Sequence, residues 1–287
     1  MTAAQTYVPT ARSMDAFTFD AREPAAAIAA AYADHGVVVV KGCIPAATVA
    51  TVRAYLTEQL DGVRDAFARL GIAGPLETSG PAVAALLGSG RTLSNEDKHL
   101  LLGHFPLAVR LSETLRTIPS AMKGLGFLQE ILHSRELFAH MPINARYILP
   151  DQTIAAVPTH QDVSYNVHMK GFCVAWVPFT DIDEECSGMA VYPGSHRLGP
   201  LAPLPTAQTA PGWLPKIEAQ LGEPVPLLPL APGDAAVFSD LIVHESMSNR
   251  SRRIRLNAEV RFVGDKAHTS KHYFDLQSGQ VINPAVT

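Results

Sequence analysis

The strongest constraint on the fold is a change of texture near residue 137. Beyond it, short runs rich in β-branched and aromatic residues alternate with turn residues, at 145–149, 172–179, 189–192, 235–238 and 256–263. Runs this short, punctuated by Pro and Gly, read as strands of a sandwich, jelly roll or barrel. The Pro-rich segment 200–232 reads as a long irregular excursion between two of them.

The first half reads differently. Residues 25–34 are Ala-rich and are followed by Gly36, a helix with its stop. Residues 37–40 are four consecutive valines, short enough for a buried strand. Pro45 can open the next helix, because its missing N–H costs nothing in a first turn. That helix carries Val49, Val52, Leu56, Leu60 and Val63 on one stripe, with Arg53, Glu58 and Asp61 off it. Residues 71–95 are Gly-, Ser- and Pro-bearing and read as a mobile surface loop and a candidate lid. Further helices are expected near 106–117 and 120–132. The expectation is one α+β domain over 1–287, with a helical part to about 135 wrapped on a β core from about 136 to 275.

Composition removes several function classes. Lys plus Arg number 23 against 27 Asp plus Glu, a formal charge of −4, so no cationic excess exists to neutralise nucleic-acid phosphates. No apolar run approaches the roughly 18 residues of a membrane span. The N-terminus lacks a basic-then-apolar leader pattern, so a cytoplasmic location is expected. Cys43, Cys173 and Cys186 are odd in number and scattered, which fits buried thiols better than disulfides or a zinc knuckle.

Among eleven histidines, one group stands apart: His160-Gln161-Asp162. On a strand, His160 and Asp162 would project from the same face and could share one ion. A His-x-Asp match is weak by itself, and an exposed turn with an ordinary ion pair explains it as well. A third ligand must come from elsewhere. His244 is the candidate, 84 positions on, at the end of a strand that follows the turn at Gly233-Asp234. Two imidazoles and one carboxylate on one side of an ion leave positions open, which points to non-haem Fe(II) and away from a closed four-ligand zinc site. Four arginines follow within six residues, 250 to 255. Arg250, Arg252 and Arg253 read as solvated. Arg255 opens an alternating strand and can point inward, where its fork would match a carboxylate.

Together these motifs resemble the phytanoyl-CoA dioxygenase-like family of Fe(II)/2-oxoglutarate oxygenases. The resemblance rests on His160-Gln161-Asp162, Trp176-Val177-Pro178 leading to Asp181-Ile182-Asp183, Gly188-Met189, Pro193-Gly194-Ser195-His196, Pro232-Gly233-Asp234 and His244-x-Ser246-x-x-Asn249. It implies a double-stranded β-helix (jelly roll, cupin-like) with helices packed outside. It implies Fe(II) on His160, Asp162 and His244, 2-oxoglutarate as co-substrate with its distal carboxylate on Arg255 and Ser246, and O2 as oxidant. Co-products would be succinate and CO2, and the substrate a small molecule, oxidised at an unactivated C–H in specialised metabolism. Halogenating relatives leave the carboxylate position free for chloride, so Asp162 favours hydroxylation, or another oxidative outcome, over halogenation.

Other residues are weighed beside their bland readings. Trp176 can wall the co-substrate pocket or simply fill the core. Asn144 and Arg146 lie on the strand before His160, where similar enzymes place a polar group on the co-substrate; Asn144 is assigned there and Arg146 to the substrate. Tyr165, Asn166 and His168 follow the iron motif directly and are candidate substrate contacts. His196 should brace a turn. His99, His104, His133 and His140 show no ligand spacing and read as ordinary. Arg261 fits an ion pair with a carboxylate. Two rival functions use the same triad: a metal-bearing jelly-roll sensor without turnover, and a zinc hydrolase, which would need a general base beside the open position and would leave Arg255 without a role.

Overall fold

A computed structural model describes residues 7–152, 155, 157–166, 168–186, 188–201 and 221–284. The centre of the expected Pro-rich excursion, 202–220, lies outside the described residues. The chain begins with β1 (Thr18–Asp20), α1 (Ala25–His35), β2 (Val37–Lys41) and the long α2 (Ala46–Leu70). Five short helices follow: α3 (Gly80–Gly88), α4 (Asn95–Leu101), α5 (Leu107–Arg110), α6 (Glu113–Ala121) and α7 (Leu125–Ile131). The rest is strand: β3 (Phe138–His140), β4 (Asn144–Ile148), β5 (Cys173–Pro178), β6 (Met189–Val191), β7 (Val225–Pro226), β8 (Ala235–Ser239), β9 (His244–Ser246), β10 (Arg255–Val263), β11 (Tyr273–Asp275) and β12 (Gln280–Ile282).

The strands form two sheets. A large one runs β1-β2-β8-β5-β10-β3-β11-β12, with β4 also paired to β10, and a small one runs β7-β6-β9. Alternation along the large sheet decides where each layer packs. Leu256, Ala258, Val260 and Phe262 of β10 join a core with Val52, Leu56 and Val63 of α2. Val174 and Trp176 of β5 join a second core with Met189 and Val191 of the small sheet. Helices therefore cover one face, and the small sheet closes over the other. Val52, Leu56 and Val63 are fully buried, and each such side chain contributes about 1.5–3 kcal/mol relative to exposure.

The Ala-rich stretch forms α1 because Ala loses no side-chain freedom in a helix. Gly36 ends it in the left-handed region at φ 75°, with its N–H donating to Tyr32 O at 2.7 Å. A Cβ on Gly36 would collide with the His196 ring. The His196 Nε2 lies 3.1 Å from Ala33 O, so this histidine braces the helix end, as expected of a structural residue.

Four expectations need correction. Residues 71–95 are not an open loop: they contain a 3-10 turn at Leu76–Thr78 and α3, with Leu76 and Val83 buried. Pro81 sits in the first turn of α3, where it starts a helix instead of breaking one. The helix expected over 106–117 is split into α5 and α6, because Ser112 caps a new start by accepting from Leu115 N. The one expected over 120–132 is likewise two pieces, α6 to Ala121 and α7 from Leu125, since Gly124 takes a left-handed turn at φ 67°. The division at 135 is also too sharp: β1 and β2 lie in the helical half yet extend the large sheet, and β12 continues past 275.

Candidate metal centre

His160 and His244 meet through a two-residue antiparallel bridge, His160 N to His244 O at 2.9 Å and the reverse at 3.0 Å. Directly opposed residues of a bridge project to the same side, and the two rings lie 4.1 Å apart between centroids. Asp162 does not share a strand with His160, contrary to the expectation. Gln161 between them is extended, with its side chain facing the opposite way, and Asp162 opens a 3-10 turn to Ser164. The Asp162 carboxylate lies 3.6 Å from His160 Nε2 and 3.8 Å from His244 Nε2. His244, likewise, opens β9 of the small sheet and does not end the strand that precedes it. The three side chains are buried, with ligand atoms all within 4.8 Å of one another.

The remaining atoms of the triad are engaged. His160 Nδ1 lies 2.8 Å from Pro158 O, and His244 Nδ1 lies 3.2 Å from Ile242 O. A carbonyl only accepts, so both rings carry the proton on Nδ1 and present the Nε2 lone pair to the centre, the tautomer a metal requires. Burial, with the His160 ring adding, pulls the His244 pKa down to about 3, which keeps that ring neutral. Burial alone would raise the Asp162 pKa, but Arg261 and the two histidines hold it below the usual carboxylate range. Arg261 Nε stands 3.4 Å from Asp162 Oδ2, and its Nη2 stands 3.5 Å from Glu259. The expected ion pair of Arg261 is thus present.

Sequence reasoning gave Gln161 no role. Its side chain points away from the ligands and is fully buried. Nε2 donates to Leu241 O at 2.6 Å and Gly199 O at 3.0 Å, while Oε1 accepts from Leu201 N at 2.8 Å. This amide staples the segment carrying His160 and Asp162 to the segment leading into His244. The available signal was an amide between two ligands, facing the opposite way.

The triad opens into a cavity of about 640 Å³. One wall is the polar face of β10, where Arg255, Asn257, Glu259 and Arg261 alternate with the buried apolar set. Register places Asn257 opposite Arg146 and Glu259 opposite both Asn144 and Trp176, so these side chains share the face. Arg255 is 3% exposed, and its Nη1 donates to Gly188 O at 3.1 Å and Met247 O at 3.3 Å. Burial, with Arg146 adding, pulls its pKa down to about 10. The missing side chain of Gly188 makes room for the Trp176 ring, which a Cβ would press at 2.8 Å. Asn144 Nδ2 donates to Glu259 at 2.7 Å, and its Oδ1 lies 3.0 Å from His104 Nδ1.

Ser246, Trp176, Tyr165, His168 and Arg146 also line the cavity. The Tyr165 ring stands edge-on to His160 at 5.2 Å. His168 Nε2 lies 2.9 Å from His140 Nε2. Asn166 is absent from the described lining: it is buried, and its Nδ2 donates to Asp162 O at 2.9 Å, so it braces the turn. Arg110, His99 and His104 line the cavity although no spacing marked them, because α4 and α5 carry them across β4. No residue between 71 and 95 is among the described lining. Arg250, Arg252 and Arg253 are exposed, as expected of solvated charges.

A family model described as "Phytanoyl-CoA dioxygenase (PhyH)" matches residues 32–257. The chain belongs to the phytanoyl-CoA dioxygenase family. That span takes in the whole triad, the large cavity's β4 and β5 walls and Arg255. Among characterised proteins, the 1-deoxypentalenic acid 11-beta-hydroxylase of Streptomyces exfoliatus is 30% identical over 119 residues, 39% of this chain and 42% of that protein. The aligned part thus spans well under half the length of this relative. Among solved structures, the non-heme alpha ketoglutarate dependent carbocyclase SnoK from nogalamycin biosynthesis aligns at TM-score 0.55 and 16% identity, covering 94% of this chain and 90% of that one. The apo non-heme monooxygenase ThoJ aligns at TM-score 0.57 and 18% identity over 86% and 82%. At these identities the two structures establish the shared jelly-roll fold.

Proposed function

We propose that this family member is a non-haem iron, 2-oxoglutarate-dependent dioxygenase that hydroxylates an unactivated C–H of a small molecule of specialised metabolism. The observation that carries the reading is the convergence of two Nε2 lone pairs and one carboxylate at one corner of a cavity that also holds a buried guanidinium, Arg255. The donor set fits the metal: three ligands on one side suit Fe(II) with open positions, whereas structural zinc is enclosed by four. When bound, iron and 2-oxoglutarate with dioxygen supply the oxidising power, and the co-substrate leaves as succinate and CO2.

The chain's own residues do the rest. His160, Asp162 and His244 hold the metal. Arg255 and Ser246 take the distal carboxylate of 2-oxoglutarate, and its position on β10 makes a two-pronged contact available. Trp176 and Asn144 wall that compartment and keep water from it. Tyr165, His168 and Arg146 face the space left for substrate. Asn166, first read as a substrate contact, is assigned to positioning Asp162. Arg261 holds the second carboxylate oxygen of Asp162 and so fixes which oxygen faces the metal. The hydroxylase relatives support hydroxylation, and the carboxylate at position 162 argues against halogenation.

The test is anaerobic reconstitution with Fe(II) and 2-oxoglutarate, followed by air and a screen of candidate substrates for succinate release. Succinate formed in step with hydroxylated product is the expected result. A chain that binds Fe(II) but never consumes 2-oxoglutarate would favour the sensor reading.

A further inference from the structure

The charge on the cavity wall is unbalanced. Among the described lining residues, four guanidiniums (Arg110, Arg146, Arg255 and Arg261) face two carboxylates, Asp162 and Glu259. A divalent metal and a doubly charged 2-oxoglutarate cancel each other. An excess of two positive charges then remains in the loaded site.

That excess can be placed. Asp162 is shared among the two ligand histidines and Arg261, and Glu259 is engaged by Asn144 and Arg261. Arg146 is 7% exposed and forms no ion pair among the described residues. Its Nη2 donates to Leu102 O at 2.8 Å and Ala155 O at 3.3 Å, and its Nε has no hydrogen-bond partner among them. Arg110 donates Nε to Ile143 O at 3.3 Å and likewise pairs with no described carboxylate. Carbonyls orient a guanidinium but do not neutralise it, and a buried charge without a counter-ion is costly. Both guanidiniums line the cavity beside His104, whose pKa is pulled well down by burial and then by the charges of Arg146 and Arg110.

We propose that Arg110 and Arg146 form an oxyanion subsite that holds the substrate by its own carboxylate, so that the enzyme acts on small carboxylic acids. The proposal rests on the oxygenase reading and specifies its substrate class. Size supports an acid contained in the cavity over an acyl group on a phosphate-bearing carrier. A volume of about 640 Å³ lies in the range of roughly 300–1,000 Å³ that encloses one drug-sized ligand, and here it must hold the co-substrate as well. A carboxylate fixed at one end turns one particular C–H toward the metal corner, so the subsite determines which carbon is oxidised.

The test needs no turnover. Protein loaded with Mn(II) and saturated with N-oxalylglycine, an unreactive analogue of 2-oxoglutarate, is titrated by calorimetry. The probes are adamantane-1-carboxylic acid and cyclohexanecarboxylic acid, each beside its primary amide, and coenzyme A. The parent should bind each acid about tenfold or more tighter than its amide, since the charge-assisted bond is absent from the amide. Arg146→Gln and Arg110→Gln should lose that preference and still bind N-oxalylglycine as the parent does. Arg255→Gln should show the converse. Arg146→Lys restores charge without the fork and should recover part of the preference, which separates a lost anion site from a damaged fold; Arg110, less buried than Arg146, gives an independent variant. No acid binding in the parent, or equal binding of acid and amide, overturns the proposal. So does weakened N-oxalylglycine binding in Arg146→Gln, which would move Arg146 to the co-substrate, or coenzyme A binding that depends on these two arginines. A parent that takes up neither Mn(II) nor N-oxalylglycine refutes the oxygenase reading instead.

Discussion

In the metal corner, every polar atom that does not face the centre has a partner: both Nδ1 atoms sit on main-chain carbonyls, Gln161 makes three hydrogen bonds, and the outer oxygen of Asp162 faces Arg261. On the wall of the same cavity, Arg110 and Arg146 donate to main-chain carbonyls and pair with no described carboxylate. The corner is assembled from a bridge and a 3-10 turn, irregular pieces that aim three atoms at one point. The wall is mostly a regular sheet face, where register sets side chains in rows, with Arg110 added from α5. The difference teaches that geometry and charge are settled separately in this cavity. The corner is complete in direction and needs an ion to hold, whereas the wall is fixed in place and needs anions to balance it.

If that division holds, damage to the corner should abolish metal-dependent chemistry and damage to the wall should change ligand requirements. The largest effect is expected from His160→Ala or His244→Ala. Each removes one of three ligands, so turnover should fall to background and Fe(II) uptake should be lost, while circular dichroism stays near the parent's. Appreciable turnover in either variant would break the comparison at its centre.

Next comes Arg255→Ala. Removing one member of a desolvated charge pair costs about 2–5 kcal/mol, so the 2-oxoglutarate requirement should rise by roughly two to three orders of magnitude. Metal affinity should stay unchanged, because Arg255 is not a ligand. Arg255→Lys should recover part of the loss, since an ammonium offers no planar fork. A titration in which the Ala variant binds 2-oxoglutarate as tightly as the parent would remove the wall's assigned task.

Gln161→Ala sharpens the corner's side. It touches neither metal nor co-substrate in the proposed arrangement, yet loss of a group that orients ligands typically lowers metal affinity by about 10–100-fold. The half-buried carbonyls of Leu241 and Gly199 would also lose a donor, at about 1 kcal/mol of stability. Metal titration and denaturant melts would read the two effects separately. The smallest effect is expected of Arg250→Ala and Arg252→Ala, which should stay within about 0.5 kcal/mol of the parent and leave both ligand requirements unchanged.

Most of the corner was readable in the sequence as residue types and little of it as geometry. His160, Asp162 and His244 are named by motif, and extended backbone at Gln161 does send His160 and Asp162 to one side, but Asp162 already opens a 3-10 turn and the second histidine arrives by a bridge. Local periodicity carries no trace of a contact 84 positions away (160 to 244). The core strands were legible because β-branched runs between turn residues have few other uses. β1 and β9 were missed because three residues are too few to show a period. Residues 71–95 were misread because Gly, Ser and Pro at the ends of a short helix look like the composition of a loop. Arg110 and His104 gave no signal, since only the packing of α5 and its neighbours across β4 turns them into the cavity.

The bridge between His160 and His244 has one more consequence. The two imidazoles share a site only after segments 84 positions apart have paired, so an unfolded chain offers a metal nothing comparable. Binding is then linked to folding itself. A free metal concentration of one hundred times the dissociation constant would add about 2.7 kcal/mol to the native state. The melting temperature of this chain should therefore climb with the logarithm of metal concentration, and the slope would report metal uptake by the native chain without any substrate in hand.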